Sequence, residues 1–516
     1  MSKLTNLFTK KPLSLLMRDA EEGSGDGHPQ ALKRALGPVN LIMLGVGAII
    51  GAGIFSLTGT AAAHYAGPGI VYSFVVSGAL CALAGLCYAE MAAMVPISGS
   101  AYSYSYATMG ELVAWIIGWD LILEYAFGAV TVAVSWSGYF VSLLSKTLGV
   151  VLPEWAIRLT GGPWDLVKLA DGTEVYGWWN VPASFIGLAV AAILYRGISE
   201  SAWVNNIIVV VKVAIVIGFI LLGWAVIDAA NWVGDPAAVN ALSRLVPPTA
   251  VTEQGARTVS GFGWAGVLTG AGVVFFAYIG FDAVSTTAQE ARNPRRDLPI
   301  GIIVSLVVCT VLYILMALVM TGVVHYSELG VPDPVAVGID RIVSLRGWSP
   351  AARGIFTFLV KFGALAGLTS VMLVTMLGQT RIFYAMSRDG LLPWFKTVHP
   401  RYHTPHHATV VTGLFVGVFS GFMPLSLVGE LVSIGTLLAF MLVCLGIPIL
   451  RVTNPEFERP FKTPAAWVLA PLGAVACVWV MTGLPLDTWL RLVIWLVLGF
   501  GIYFAYGYRH SRMHRH

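Results

Sequence analysis

The sequence predicts an all-α integral membrane protein with twelve spanning helices, and three observations carry that prediction. Of 516 residues, 57% are hydrophobic and 11% charged, with mean hydropathy +0.78, whereas ordinary soluble domains carry roughly 25% charged residues. Apolar runs long enough to cross a hydrocarbon core of about 30 Å, which takes roughly 20 helical residues, recur along nearly the whole chain. The basic residues between these runs are dense on alternate loops, as the positive-inside rule requires of a multi-pass protein.

The runs fall at 39–62, 70–95, 110–145, 181–197, 203–227, 264–288, 299–323, 354–386, 408–426, 430–450, 466–483 and 489–508. They divide the chain into a tail (1–38), five spans (39–227), a loop (228–263), five more spans (264–450), two further spans (451–508) and a second tail (509–516). The third and eighth runs are long enough to tilt or to project beyond the bilayer.

The first tail carries Lys3, Lys10, Lys11, Arg18, Lys33 and Arg34 and no apolar core, so it reads as a cytosolic tail rather than a cleavable signal. With both termini in the cytosol, the inner segments hold 20 Lys and Arg and the outer ones nine. Orientation therefore accounts for the net charge of +4, and no nucleic-acid partner is implied. Cys81, Cys87, Cys309, Cys444 and Cys477 all fall within runs, without metal-ligand or disulfide spacing, and read as packing residues. The absence of an Asn-x-Ser/Thr sequon fits a prokaryotic inner membrane.

Two runs are interrupted by glycine. The first contains GAIIGAGIF (47–55) and the sixth GAGVVFFAYIGFD (270–282), with Gly280 deep in apolar context. Glycine disfavours a helix interior by about 1 kcal/mol relative to alanine, and in lipid any freed peptide group must find a partner within the protein or an aqueous cavity. Small residues also let membrane helices pack closely, but the matched second interruption favours breaks at a binding site. Five crossings separate the two runs, so they point in opposite directions, the pattern of an inverted repeat with a transport site at the bilayer midplane. A channel or receptor requires no such pair, and no Walker loop, HExxH or nucleophile elbow supports an enzyme.

Four segments then become familiar: LGVGAIIGAGIF (44–55), CYAEMAAMVPISGSAYSYSYATMGELVAWIIGWDLILEYA (87–126), VFFAYIGFDAVSTTAQEARNPRRDLPIGII (274–303) and GQTRIFYAMSRDGLLP (378–393). Through them the chain resembles the cationic amino acid transporter family of the amino acid, polyamine and organocation superfamily, in its shorter bacterial form. The resemblance implies the leucine-transporter fold, with spans 1–5 and 6–10 as inverted repeats, spans 1 and 6 broken, and spans 11 and 12 peripheral.

The resemblance further implies a secondary transporter that imports L-amino acids, by proton symport or by exchange, with alternating access. Backbone amides of Gly51, Ala52 and Gly53 would bind the substrate carboxylate, and carbonyls of Ile49, Phe276, Ala277 and Ile279 its ammonium. Such recognition uses helix-end dipoles instead of side-chain charge. Phe276, Tyr278 and Phe281 either shape the pocket or simply pack.

Ionisable residues inside spans cost about 2.5 to 3.5 kcal/mol at the helix centre on insertion scales. Lys212 lies about ten residues from the cytosolic end of the fifth span, roughly 15 Å, too deep to snorkel comfortably. In proton-driven relatives a lysine matching it stands in place of a sodium ion and binds spans 1 and 8. The expected coupling ion is therefore a proton, with no sodium site and no cofactor.

Asp120 and Glu124 lie four apart, on one helix face, and must face protein or water. Glu124 resembles the family's acidic residue near the pocket, a proton site or a partner for a cationic side chain. Asp282 either binds exposed amides of the restarting half-helix or serves the substrate. Thr375, in the eighth span, either leaves room for a long substrate or packs, and Lys361 has no assigned role. The expected partners are the small-molecule substrate and membrane lipid.

Overall fold

The computed structural model of the chain describes residues 7–12, 36–95, 100–169, 172–197, 202–234, 240–254, 257–402 and 404–514. Most of the basic N-terminal tail, at 1–6 and 13–35, lies outside the described residues, as does the last basic residue, Arg515.

Among the described residues twelve apolar helices order the molecule. They are α1 (Pro38–Ile49, resumed over 53–66), α2 (Ile70–Met94), α3 (Glu111–Thr147) and α4 (Val181–Arg196). After these come α5 (Ala202–Trp224), α6 (Gly263–Val274, resumed at Ala283–Thr286), α7 (Pro294–Val323) and α8 (Pro350–Arg388). The last four are α9 (His406–Phe422), α10 (Leu425–Thr453), α11 (Ala466–Thr482) and α12 (Leu486–His510). Among the described residues eight helical segments are long and apolar enough to cross a membrane, one of which, Pro38–Met94, holds both α1 and α2; α4, α9 and α11 are shorter apolar helices.

Burial sorts these helices into an inside and an outside. The broken parts of α1 and α6 are buried throughout, whereas Phe185, Leu221, Val307, Leu414, Val475 and Leu490 are 57–68% exposed. An apolar surface on this scale is far larger than soluble monomers tolerate, and it is the surface a lipid-facing shell presents. Glycines set the close approaches: a Cβ on Gly85 would overlap Leu306 of α7 or force it aside, and one on Gly417 of α9 would lie 2.8 Å from Leu188 of α4.

Three boundaries differ from the sequence reading. Helix α7 begins at Pro294, inside the segment read as a cytosolic loop; proline suits the first helical position, and the Asp297 carboxylate accepts the Asn293 N–H at 3.2 Å. The α9–α10 junction falls at Met423–Pro424, earlier than hydropathy places it, because Pro424 cannot continue α9 and is the N-cap of α10. Two antiparallel hairpins, 166–168 with 174–176 and 250–254 with 257–261, occupy segments read only as connections between spans.

Candidate functional site

The first break is short. Helix α1 stops at Ile49, Ile50 turns extended (φ −72°, ψ 96°), and the chain resumes as a wide π turn over Gly53–Leu57. The second is longer: α6 tightens into a 3₁₀ turn at Phe275–Tyr278, Ile279 is extended, and Gly280 takes φ +119°. That left-handed geometry suits glycine and strains other residues.

The two breaks touch. A Cβ on Gly53 would overlap the Cα and Cβ of Ala277, and a Cβ on Gly280 would lie 2.8 Å from the carbonyl carbon of Ala48. The pairs 48–280 and 53–277 run in opposite senses, so the two breaks cross antiparallel at backbone contact. Gly51 faces α8, where a Cβ would meet the Val371 side chain at 3.1 Å.

The residues around the crossing organise its peptide groups. On α7, the Tyr313 hydroxyl lies 2.7 Å from the Ile49 carbonyl oxygen and 3.0 Å from that of Ala277. One hydroxyl proton serves only one acceptor at a time, so these two carbonyls share a single donor. The Phe276 carbonyl accepts the Ile279 N–H at 3.2 Å. The amides of Gly51, Ala52 and Gly53 open the second half of α1, where a helix has no preceding carbonyls to occupy its first N–H groups. Thr58 donates back to the Gly53 carbonyl at 3.0 Å, and Tyr139 of α3 donates to that of Phe55 at 2.7 Å.

Lys212 of α5 is fully buried, and its Nζ donates to the Gly47 carbonyl of α1 at 2.8 Å. Its alkyl stem lies on Gly367 of α8, where a Cβ would come within 3.0 Å of it. The lysine thus bridges α1 and α8 beside the first break, and it makes no ion pair among the described residues.

The acidic residues form a second group, one step beyond the α6 break. The Tyr125 hydroxyl donates to Asp282 Oδ2 at 2.6 Å, and the Gly280 N–H reaches Asp282 Oδ1 at 3.2 Å. Asp282 therefore holds an amide of the break itself, and its side chain does not cap the restarting half-helix Ala283–Thr286. Glu124 and Tyr125 both sit in a π turn of α3, Leu123–Phe127, a distortion common at functional sites. Buried Glu124 faces Asp282, Thr436 and Asp120, and among the described residues no donor lies in hydrogen-bonding geometry to its oxygens or to those of Asp120.

Thr375 returns its hydroxyl to its own helix, 3.0 Å from the Val371 carbonyl. It lies one turn from Val371, on the same face of α8. Phe281 packs away from the crossing with Tyr88 and Phe440, at ring-centroid distances of 5.5 and 5.0 Å, and Tyr278 donates to the Phe74 carbonyl at 2.9 Å. Among the described residues Phe276 has no ring partner of this kind. Lys361 forms an ion pair with Asp340 at 3.4 Å, on the amphipathic helix Pro334–Leu345.

Several residues here carry no sequence signal. Tyr313 sits among apolar neighbours and Tyr125 beside Glu124, and their roles depend on contacts across the fold. At the other end of the molecule, Lys11 pairs with Asp389 at 2.9 Å, and Tyr102 donates to the same carboxylate at 2.8 Å. Glu90 of α2 holds Arg451 at 2.8 Å and the Thr463 N–H at 2.7 Å. Together these contacts tie the end of α8 to the N-terminal segment and the end of α2 to the end of α10.

Comparison with known proteins agrees with this architecture. The model of the amino acid permease family matches residues 36–503. A methylthioribose transporter of Bacillus subtilis is 40% identical over 513 residues, spanning 99% of this chain and 100% of that protein. The branched-chain amino acid permease BcaP of the same organism is 42% identical over 511 residues, 99% of each chain. The Arabidopsis thaliana protein named cationic amino acid transporter 3, mitochondrial, is 35% identical over 451 residues, 86% of this chain and 67% of its own. With so much of its length matched, the chain belongs to the amino acid permease family, within the amino acid, polyamine and organocation superfamily, and is a multi-pass membrane transporter, not an enzyme.

Proposed function

We propose that this transporter imports an amino acid by proton symport, alternating access around a site at the crossing of the two helix breaks. In this reading each of the twelve helices spans the membrane in the leucine-transporter arrangement. Residues 39–227 and 264–450 are inverted repeats, 451–508 are peripheral, loop 228–263 is extracellular and both tails are cytosolic. The observation that carries the reading is the antiparallel contact of the breaks at Gly53–Ala277 and Ala48–Gly280.

A zwitterion entering the membrane loses the hydration of both its charges, and fixed peptide dipoles replace it. The substrate carboxylate docks on the amides of Gly51, Ala52 and Gly53. The ammonium takes the carbonyls of Ile49, Phe276, Ala277 and Ile279, two of which also lie within reach of the Tyr313 hydroxyl. Phe276 closes over the site, and Thr375 bounds the space for the side chain. Glu124 is a proton site or a partner for a cationic side chain.

Lys212 couples the proton to the movement. An ammonium holds a carbonyl through a charge-assisted hydrogen bond, roughly twice as strong as a neutral one. A proton on Lys212 therefore docks α1 against α5 and α8, and its loss frees α1 to move. Because the ammonium stands where a sodium ion would, no sodium is required.

Uptake into proteoliposomes tests this reading. We expect saturable, trans-stimulated uptake, driven by an inward proton gradient without sodium. Channel-like, non-saturating flux would contradict it, and uptake that requires internal substrate and ignores the gradient would make the protein an exchanger. Substrate choice is read by competition across the twenty amino acids with methylthioribose added, since relatives are named for branched-chain amino acids, cationic amino acids and methylthioribose.

A further inference from the structure

A groove of about 450 Å³ runs along the outer surface between α4 and α9. Its sides are Leu188 and Ala192 from α4 and Val410 and Leu414 from α9. Three of them, Leu188, Val410 and Leu414, are 44–57% exposed. Its floor exists because the residues there are small: a Cβ on Gly413 would overlap that of Ala191, so the two backbones meet while the larger neighbours stand apart as walls.

One end of the groove is polar. Tyr195, Arg196 and Tyr402 line it, with the two tyrosine rings 6.0 Å apart. Thr404 donates to the Tyr195 carbonyl at 2.9 Å, holding the loop before α9 over the end of α4. Arg196 is exposed and pairs with no described carboxylate. Arg401 is exposed and lies 5.7 Å from the Tyr402 ring centre. The mouth thus presents two guanidinium groups beside interfacial tyrosines, above a slot lined by apolar side chains.

We propose that this groove binds an anionic phospholipid of the cytosolic leaflet, with an acyl chain on the Gly413–Ala191 floor and the phosphate at Arg196 and Arg401. The leaflet rests on the orientation given under Proposed function; the groove itself does not. Basic pockets between membrane helices on the cytosolic side recognise acidic headgroups, and the guanidinium fork matches a phosphate in two-point geometry. The site is separate from the substrate crossing and shares no residue with it.

Native mass spectrometry of the detergent-purified full chain tests the proposal, with phosphatidylglycerol and phosphatidylcholine as probes. Phosphatidylglycerol should be retained preferentially, with each arginine contributing about fivefold. Arg196→Gln with Arg401→Gln should bring its retention to the phosphatidylcholine level. Ala192→Phe, on the exposed wall, should reduce phosphatidylglycerol retention with both arginines intact. Equal retention of the two lipids by the unaltered protein, or full retention by Ala192→Phe, would overturn the site. The leaflet is read separately: Lys396→Cys, exposed in the connection between α8 and α9 that leads to the mouth, should react with an impermeant thiol reagent from the cytosolic side. Reaction from the outside would overturn the leaflet assignment. Retention is measured without a gradient, so failure of the transport reading leaves this result distinct.

Discussion

Two lysines are buried in membrane-length helices, and the regions around them solve the same problem in opposite ways. Toward the Pro350 end of α8, Lys361 meets Asp340, whose side chain is 40% exposed, so charge is answered by charge within reach of water. In the core, Lys212 bonds the Gly47 carbonyl and lies on the surface of Gly367, with no carboxylate paired to it among the described residues. A charge taken out of water costs several kcal/mol unless it is paired. The first arrangement is a permanent tether. The second leaves a lysine that can become neutral without abandoning a partner charge, beside the helix break that moves in the proposed mechanism. The same contrast holds for the proposed substrate site, where peptide groups would face a ligand that carries its own charges.

The largest expected effect separates these lysines. Lys212→Ala should abolish gradient-driven accumulation while the protein still folds and elutes as the unaltered chain does, whereas Lys361→Met should accumulate substrate normally. Undiminished proton-driven uptake by Lys212→Ala would remove the coupling assignment, and loss in both variants would erase the contrast.

Next is Gly53→Ala, which places a methyl group on Ala277. Overpacking of this kind costs about 1–3 kcal/mol, so thermal unfolding should shift down and substrate binding should be lost. Unchanged binding would mean that the breaks do not hold the ligand.

Tyr313→Phe keeps the ring and removes the shared donor. Leaving a buried acceptor unsatisfied costs about 1–3 kcal/mol, and in the proposed site the substrate ammonium satisfies the Ile49 and Ala277 carbonyls when bound. The variant should therefore be less stable without substrate and gain more thermal stability than the unaltered chain when substrate is added. An equal gain in both would show that the ammonium docks elsewhere.

Smaller effects lie at the margins. Thr375→Met should reduce arginine binding more than alanine binding, and equal effects would argue against a size filter. Lys361→Met should cost no more than about 1 kcal/mol of stability, as for partly exposed pairs, because the remaining Asp340 stays hydrated; a large loss would mean that the tether matters more than its exposure suggests.

Local properties of the sequence located much of this. Hydropathy placed the apolar helices, clustered glycines marked both breaks, and the depth of Lys212 followed from counting residues along α5. Asp282 binds the Gly280 amide two residues back, inside the break, and not the amides of the restarting half-helix that the sequence offered it as one alternative. What escaped depends on distance through the fold. Tyr313 matters because α7 passes both breaks, and Lys361 has a partner because the helix Pro334–Leu345 folds back over the end of α8. Lys11 and Asp389 meet across 378 residues of chain. The hairpins escaped because short strands in polar connections have no apolar period strong enough to read. The α9–α10 junction escaped because hydropathy averages across Pro424.

The central claim is that peptide groups at the crossing recognise both charges of an amino acid. Competition binding with the transported amino acid, its carboxyl methyl ester and its N-acetyl form tests this most directly. The account predicts that only the free amino acid competes, since each blocked form loses one of the two docking charges. Competition by the ester or the N-acetyl form at the same concentration as the free amino acid would contradict it.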